Sequence, residues 1–138
     1  MNRIGLALLG IALALASGRS MADVVAVVSV RSPIVALSRN QVIAIFLGSI
    51  SRYPDGTRAI PLDQAEGSAV RDEFYSKLTQ KSAAQLKAYW SKVIFAGRGQ
   101  PPPTVANSIE MMRSLRDNPA AVGYIDSALV DDSVRVLF

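Results

Sequence analysis

The chain has 138 residues, with no cysteine and no histidine. Those two absences exclude a Ser-His-Asp triad, a thiol nucleophile, disulfide stapling and an ordinary zinc or copper site. The formal charge of +4 is mild and unclustered, so no nucleic-acid partner is expected.

The N-terminal residues read as a targeting segment. Met1-Asn2-Arg3 is a short positive start, Ile4 to Ala16 is an almost unbroken apolar stretch, and Ser20-Met21-Ala22 supplies the small residues of a cleavage site. Residues 1–22 are expected to be a secretory signal peptide, with an uncleaved anchor as the alternative. The apolar run is short for a membrane span, and no later segment is apolar enough to be one. Loss of Arg3 and Arg19 with that segment leaves 13 Lys+Arg against 11 Asp+Glu, a charge of +2. The remainder, 23–138, has the length of one domain, expected in the periplasm or outside the cell.

Val24 to Val30 has the composition of a strand buried on both faces, and Ser32-Pro33 breaks it. Ser38-Arg39-Asn40-Gln41 is a capping box. The helix it opens presents Val42, Ile45 and Phe46 to the core, and Gly48 ends it in the left-handed conformation. Tyr53-Pro54-Asp55-Gly56 is a turn, with proline presetting one dihedral and glycine allowing positive φ. Ala59 to Leu62 reads as a second strand.

The Gly67-Ser68 turn then opens a helix whose inward stripe is Val70, Phe74 and Leu78. Ser82 with Gln85 repeats the capping box before a third helix, with Leu86, Tyr89, Trp90, Val93 and Ile94 on its apolar side. Tyr89 and Trp90 at this spacing read as core rather than as a ligand-stacking wall. Gly97 to Pro103 reads as a rigid spacer between helices, carrying Arg98 as a solvated cation. Ser108 to Arg116 is a fourth helix with Ile109, Met112 and Leu115 inward. Ala121 to Ile125 is a strand in which Gly123 permits close backbone approach. A short turn around Ser127 to Val130 leads to a last strand, Val134 to Phe138. The order predicts an α/β three-layer single domain with a small mixed sheet.

The segment with most functional content is Glu66-Gly67-Ser68-Ala69-Val70-Arg71. A strand that turns on glycine into a helix aims free backbone N–H groups, and the positive end of the helix dipole, at one point. That arrangement seats an anion on the N–H groups of Gly67, Ala69 and Val70, with the Ser68 hydroxyl and the Arg71 guanidinium as further donors. The same geometry also serves a purely structural cap by Ser68, and spacing alone leaves both readings open. The acidic residues Asp63, Glu66, Asp72, Asp126, Asp131 and Asp132 match no calcium-loop spacing, so no metal is expected. No cofactor is implied, and no nucleophile–base pair points to an enzyme.

Three stretches resemble periplasmic phosphate-binding proteins, the substrate-binding components of phosphate ABC importers. Leu37-Ser38-Arg39-Asn40-Gln41-Val42 with Ile45-Phe46-Leu47-Gly48-Ser49-Ile50 is similar to their "LSxxQ…IFxGxIxxW" stretch. Glu66-Gly67-Ser68, followed by Arg71 and Phe74, resembles their phosphate loop "RxDGSGT…F". Val122-Gly123-Tyr124-Ile125 resembles their "IGYV" strand. The resemblance implies a fold like one lobe of a type II periplasmic binding protein, and inorganic phosphate or a similar oxyanion as ligand.

The departures bear on affinity. Family members close two lobes on the anion, and this chain has length for one. Gln64 stands where the loop has arginine, Glu66 where it has aspartate, Ala69 where it has the second glycine and Val70 where it has threonine. Losing the arginine removes the group best matched to phosphate geometry. A lone lobe would bind phosphate weakly unless a homodimer or an envelope protein supplies the other wall. The competing expectation is a non-transporting envelope interaction module that kept the lobe fold and lost tight anion binding.

Overall fold

The valine-rich run forms β1 (Val24–Ser29), and its last four residues are buried. The structure, a computed structural model, describes residues 23–138, so the expected signal segment at 1–22 lies outside the described residues. Around β1 the chain builds a mixed four-stranded sheet in the order β2-β5-β1-β6, with β2 at Ile60–Pro61, β5 at Ala121–Asp126 and β6 at Val134–Val136. β1 runs antiparallel to β5 and to β6, with Val27 opposite both Gly123 and Val136, whereas β2 pairs parallel with β5. A separate parallel ladder joins β3 (Asp63–Gln64) to β4 (Thr104–Val105).

Helices cover both faces of the larger sheet: α1 (Arg39–Phe46), α2 (Ala69–Thr79), α3 (Ala83–Phe95) and α4 (Ser108–Asp117). On one face Ala26, Val28, Val122 and Tyr124 pack with residues of the first three helices, among them Phe46, Phe74, Leu86 and Trp90. On the other face Val27, Ala121 and Ile125 meet Met111, Met112 and Leu115 of α4. Successive strand residues point to opposite sides, so a continuous apolar run feeds two cores at once. The expected α/β three-layer arrangement with a small mixed sheet is the one the chain adopts.

The helix ends follow their local chemistry. Ser38 and Ser82 both complete capping boxes, with Gln41 and Gln85 accepting from the cap N–H at 2.8 and 2.9 Å. Gly48 leaves α1 at φ +76, packed against Trp90.

Two helix positions differ from expectation. The helical period predicts Ile109 inward, but it is 59% exposed; the inward stripe of α4 is Ser108, Met111, Met112 and Leu115. Asn107 is the cap, and Ile109 lies about 100° round the helix from Ser108. Ile94, expected in the core, sits one turn beyond Trp90 at the end of α3 and lines an open cleft.

The strands differ more. The expected strand over Ala59 to Leu62 narrows to Ile60–Pro61, because the chain changes ladders: Leu62 N–H donates to Val122 O at 2.8 Å, and Asp63 N–H donates to Pro103 O at 2.9 Å. The proline stretch is therefore more than a spacer, since it delivers β4 to β3. Two-residue strands carry no periodicity to read. The last strand is shorter than Val134 to Phe138, although Leu137 and Phe138 still exchange backbone hydrogen bonds with Ala26.

Candidate functional site

The Gly67-Ser68 pair forms the turn between β3 and α2. Gly67 takes φ +90, a conformation that favours glycine, and swings the chain from the ladder into the helix. Ser68 is the cap: its Oγ accepts from Arg71 N–H at 3.2 Å. Its own N–H donates to Ala65 O at 3.1 Å, and its carbonyl accepts from Asp72 N–H. The N–H groups of Gly67, Ala69 and Val70 meet no acceptor among the described residues. Capping thus satisfies one of the first-turn donors and leaves others at an accessible surface, where Gly67 and Ala69 are exposed.

Beside this turn lies an open cleft of about 210 Å³ between α2 and α3, lined by residues that include Glu66, Arg71, Lys87, Trp90 and Pro101. Lys87 Nζ lies 4.0 Å from Glu66 Oε1 and both side chains are largely exposed, so this pair contributes little. Trp90 is 6% exposed, and its indole Nε1 has no hydrogen-bond partner among the described residues.

Arg71 is turned inward. Its Nε lies 3.5 Å from Asp63 Oδ1, and its guanidinium carbon sits 5.4 Å from the Tyr75 ring centroid. The Nε contact is close enough for charge attraction without hydrogen-bond geometry, and the buried Nε has no hydrogen-bond partner among the described residues.

Asp63 is the electrostatic centre beneath the turn. It accepts from Tyr75 Oη at 2.7 Å, from its neighbour Gln64 N–H at 2.8 Å and from the Tyr124 hydroxyl. Burial, and then the Asp63 charge, pushes the pKa values of Tyr75 and Tyr124 upward, so both hydroxyls stay protonated and remain donors. An aromatic cluster sets their positions. Phe74 stacks on Tyr124 at a centroid distance of 3.9 Å, and Phe46 meets Phe74 edge-on at 5.0 Å.

Gln64, aligned with the loop arginine of the resembling family, is 1% exposed and faces the interior. Its Nε2 donates to Ser108 Oγ at 3.1 Å and to Tyr124 O at 3.0 Å, and its Oε1 accepts from Ser68 Oγ at 3.4 Å. It ties the turn to α4 and β5. Among the described residues, no three acidic side chains group as a metal site, and no helix is long and apolar enough to cross a membrane.

The five residues predicted from sequence fall on one turn, as their adjacency requires, and Arg71 borders the cleft. Sequence reasoning missed Asp63, Tyr75, Tyr124 and Lys87. One signal was available: Asp63 directly follows the apolar run Ala59 to Leu62, where a carboxylate must find partners when buried.

No family model matches the sequence, and no curated protein matches it. Solved structures do. A Clostridium perfringens protein described as a phosphate ABC transporter substrate-binding protein, with bound phosphate, superposes with a TM-score of 0.65 at 20% identity, over 83% of this chain and 43% of its own. An ABC-type phosphate transport receptor from Vibrio cholerae gives 0.64 at 21% identity, over 83% and 44%. PstS from Borrelia burgdorferi gives 0.57 at 13% identity, over 83% and 46%. The chain spans less than half the length of each of these proteins. It has the mixed α/β fold of one lobe of a phosphate-transport substrate-binding protein.

Proposed function

We propose that this protein is an exported, non-enzymatic binding domain for inorganic phosphate or a similar small oxyanion. The ligand sits on the N–H groups of Gly67, Ala69 and Val70, with the Ser68 hydroxyl and the Arg71 guanidinium completing the donor set. The observation that carries this reading is that the N–H groups of Gly67, Ala69 and Val70 meet no acceptor among the described residues, in the same segment as Glu66 and Arg71, which line a cleft together with Lys87. The fold shared with phosphate-transport proteins supports it. Residues 1–22 direct export to the periplasm on this reading.

Affinity should be low. An exposed helix end contributes about 0.3–1 kcal/mol, and millimolar binding already requires roughly −4 kcal/mol. Water in a one-sided cleft screens each charged contact, so a homodimer or envelope partner is needed for tight binding. Calorimetry of the purified protein with phosphate tests the reading, with heat expected in the low millimolar range. Absence of both heat and a thermal shift at about 10 mM phosphate would sink it.

A second reading, a non-transporting envelope interaction module, is favoured by Gln64, which turns its amide into the core instead of offering a cation to the ligand. Under that reading Ser68 is a cap alone, and phosphate leaves stability unchanged.

A further inference from the structure

The proposed anion site leaves a buried carboxylate unexplained. Asp63 is 2% exposed and lies at the foot of the turn that carries Gly67 and Ser68. An ionised group so placed needs compensation. Tyr75, Tyr124 and the Gln64 N–H supply three hydrogen bonds, and Arg71 supplies the charge. A core built for stability alone would do as well without either charge, because a buried ion pair often adds nothing over apolar packing.

The geometry of Arg71 indicates what the pair is for. Its two contacts are made by Nε, to Asp63, and by the guanidinium face, to the Tyr75 ring. Neither contact engages the two Nη amino groups, and the same side chain borders the cleft beside the turn. Trp90, 6% exposed, also lines the cleft. Long cationic side chains ordinarily lose rotamer freedom when they meet a ligand, and a guanidinium fixed beforehand avoids that cost.

We propose that Asp63 is a positioning residue for the oxyanion site, holding the Arg71 guanidinium at the cleft beside the α2 N-terminus before the ligand arrives. Tyr75 and Tyr124 act one step further back, orienting the carboxylate. This inference rests on the anion-binding reading above. It adds that the cation at the site comes from inside the helix and is held by a buried acid on the preceding strand.

The chain has one tryptophan, Trp90, so its intrinsic fluorescence reports on the cleft. Phosphate titrations followed by that signal would compare the original protein with Asp63→Asn, Arg71→Gln and the double variant. Asp63→Asn is expected to weaken phosphate binding about ten-fold in the presence of Arg71, and to have almost no effect in the Arg71→Gln background. Equal losses in the two backgrounds would overturn the inference, since Asp63 would then act independently of Arg71. Unchanged affinity in Asp63→Asn would overturn it too, while leaving the anion-binding reading intact. No phosphate response in the original protein by either fluorescence or calorimetry would remove that reading, and this inference with it.

Tyr75→Phe gives a second route should Asp63→Asn fail to fold. It removes the hydroxyl on Asp63 Oδ2 and keeps the ring beneath Arg71. A roughly three-fold loss of affinity is expected, from a looser carboxylate. In the ligand-free protein, the Arg71 Hε resonance should exchange slowly with water and should exchange faster in Tyr75→Phe. Fast exchange in the original protein would overturn the positioning role directly.

Discussion

Gly123 and Met111 are in contact across the interface of β5 with α4, so closely that a Cβ built on Gly123 would lie 2.4 Å from Met111 Sδ. Met111 is fully buried, and a displaced sulfur has no free volume to enter without moving its neighbours. Gly123→Ala should therefore destabilise by about 1–3 kcal/mol. Chemical denaturation measures this. Shortening the other partner should relieve the clash, so Gly123→Ala with Met111→Ala should cost less than the two changes summed.

Alkaline pH should destabilise the fold. The Tyr53 hydroxyl donates to Ala120 O at 2.6 Å, and burial pushes its pKa up to about 12 from 10.0. Tyr75 and Tyr124 shift in the same direction. Above pH 10 the unfolded chain releases tyrosine protons that the folded chain retains, so stability falls as pH rises. The contribution is complete below the unfolded value and is lost through the folded one. Urea midpoints measured from pH 7 to 11 should decline only in the upper part of that range, at roughly pH 10 and above. Tyr53→Phe should cost about 1 kcal/mol at neutral pH and flatten the decline.

One substitution can separate the capping role of Ser68 from its proposed role as an anion donor. Ser68→Ala should cost about 1 kcal/mol, because Arg71 N–H loses its acceptor. Ser68→Asp keeps a good cap, so stability should stay within about 0.5 kcal/mol. Its carboxylate would nonetheless occupy the proposed anion seat, and phosphate binding should weaken at least ten-fold, about 1.4 kcal/mol. Retained binding in Ser68→Asp would place the seat elsewhere.

Gln80, which ends α2 at φ 57, is the one non-glycine residue with positive φ among the described residues. A left-handed side-chain residue costs about 1–2 kcal/mol, part of which glycine returns as added freedom of the unfolded chain. Gln80→Gly should raise stability by roughly 0.5–1 kcal/mol. Thermal unfolding would register it as an increase in Tm.

Local chemistry determined more of this protein than its modest sequence signals suggest. The capping boxes at Ser38 and Ser82, the exit at Gly48, the strand at Val24 and the close approach at Gly123 were all legible, because each depends on residues adjacent in the chain or on the bulk of one side chain. The Gly67-Ser68 turn was legible for the same reason. Tertiary structure alone decided what that turn rests on. Asp63 meets Tyr75 across 12 positions and Tyr124 across 61, and Gln64 reaches Ser108 across 44. Pairing at such separations is set by how the sheet and helices pack, and no periodicity in the chain records it. The parallel ladder of β3 with β4 is of the same kind, two residues against two, held by a partner some forty positions away. Sequence thus provided the Gly67-Ser68 turn and the free N–H groups at the start of α2, while the fold turned the Arg71 side chain inward and set the buried Asp63 carboxylate beside it.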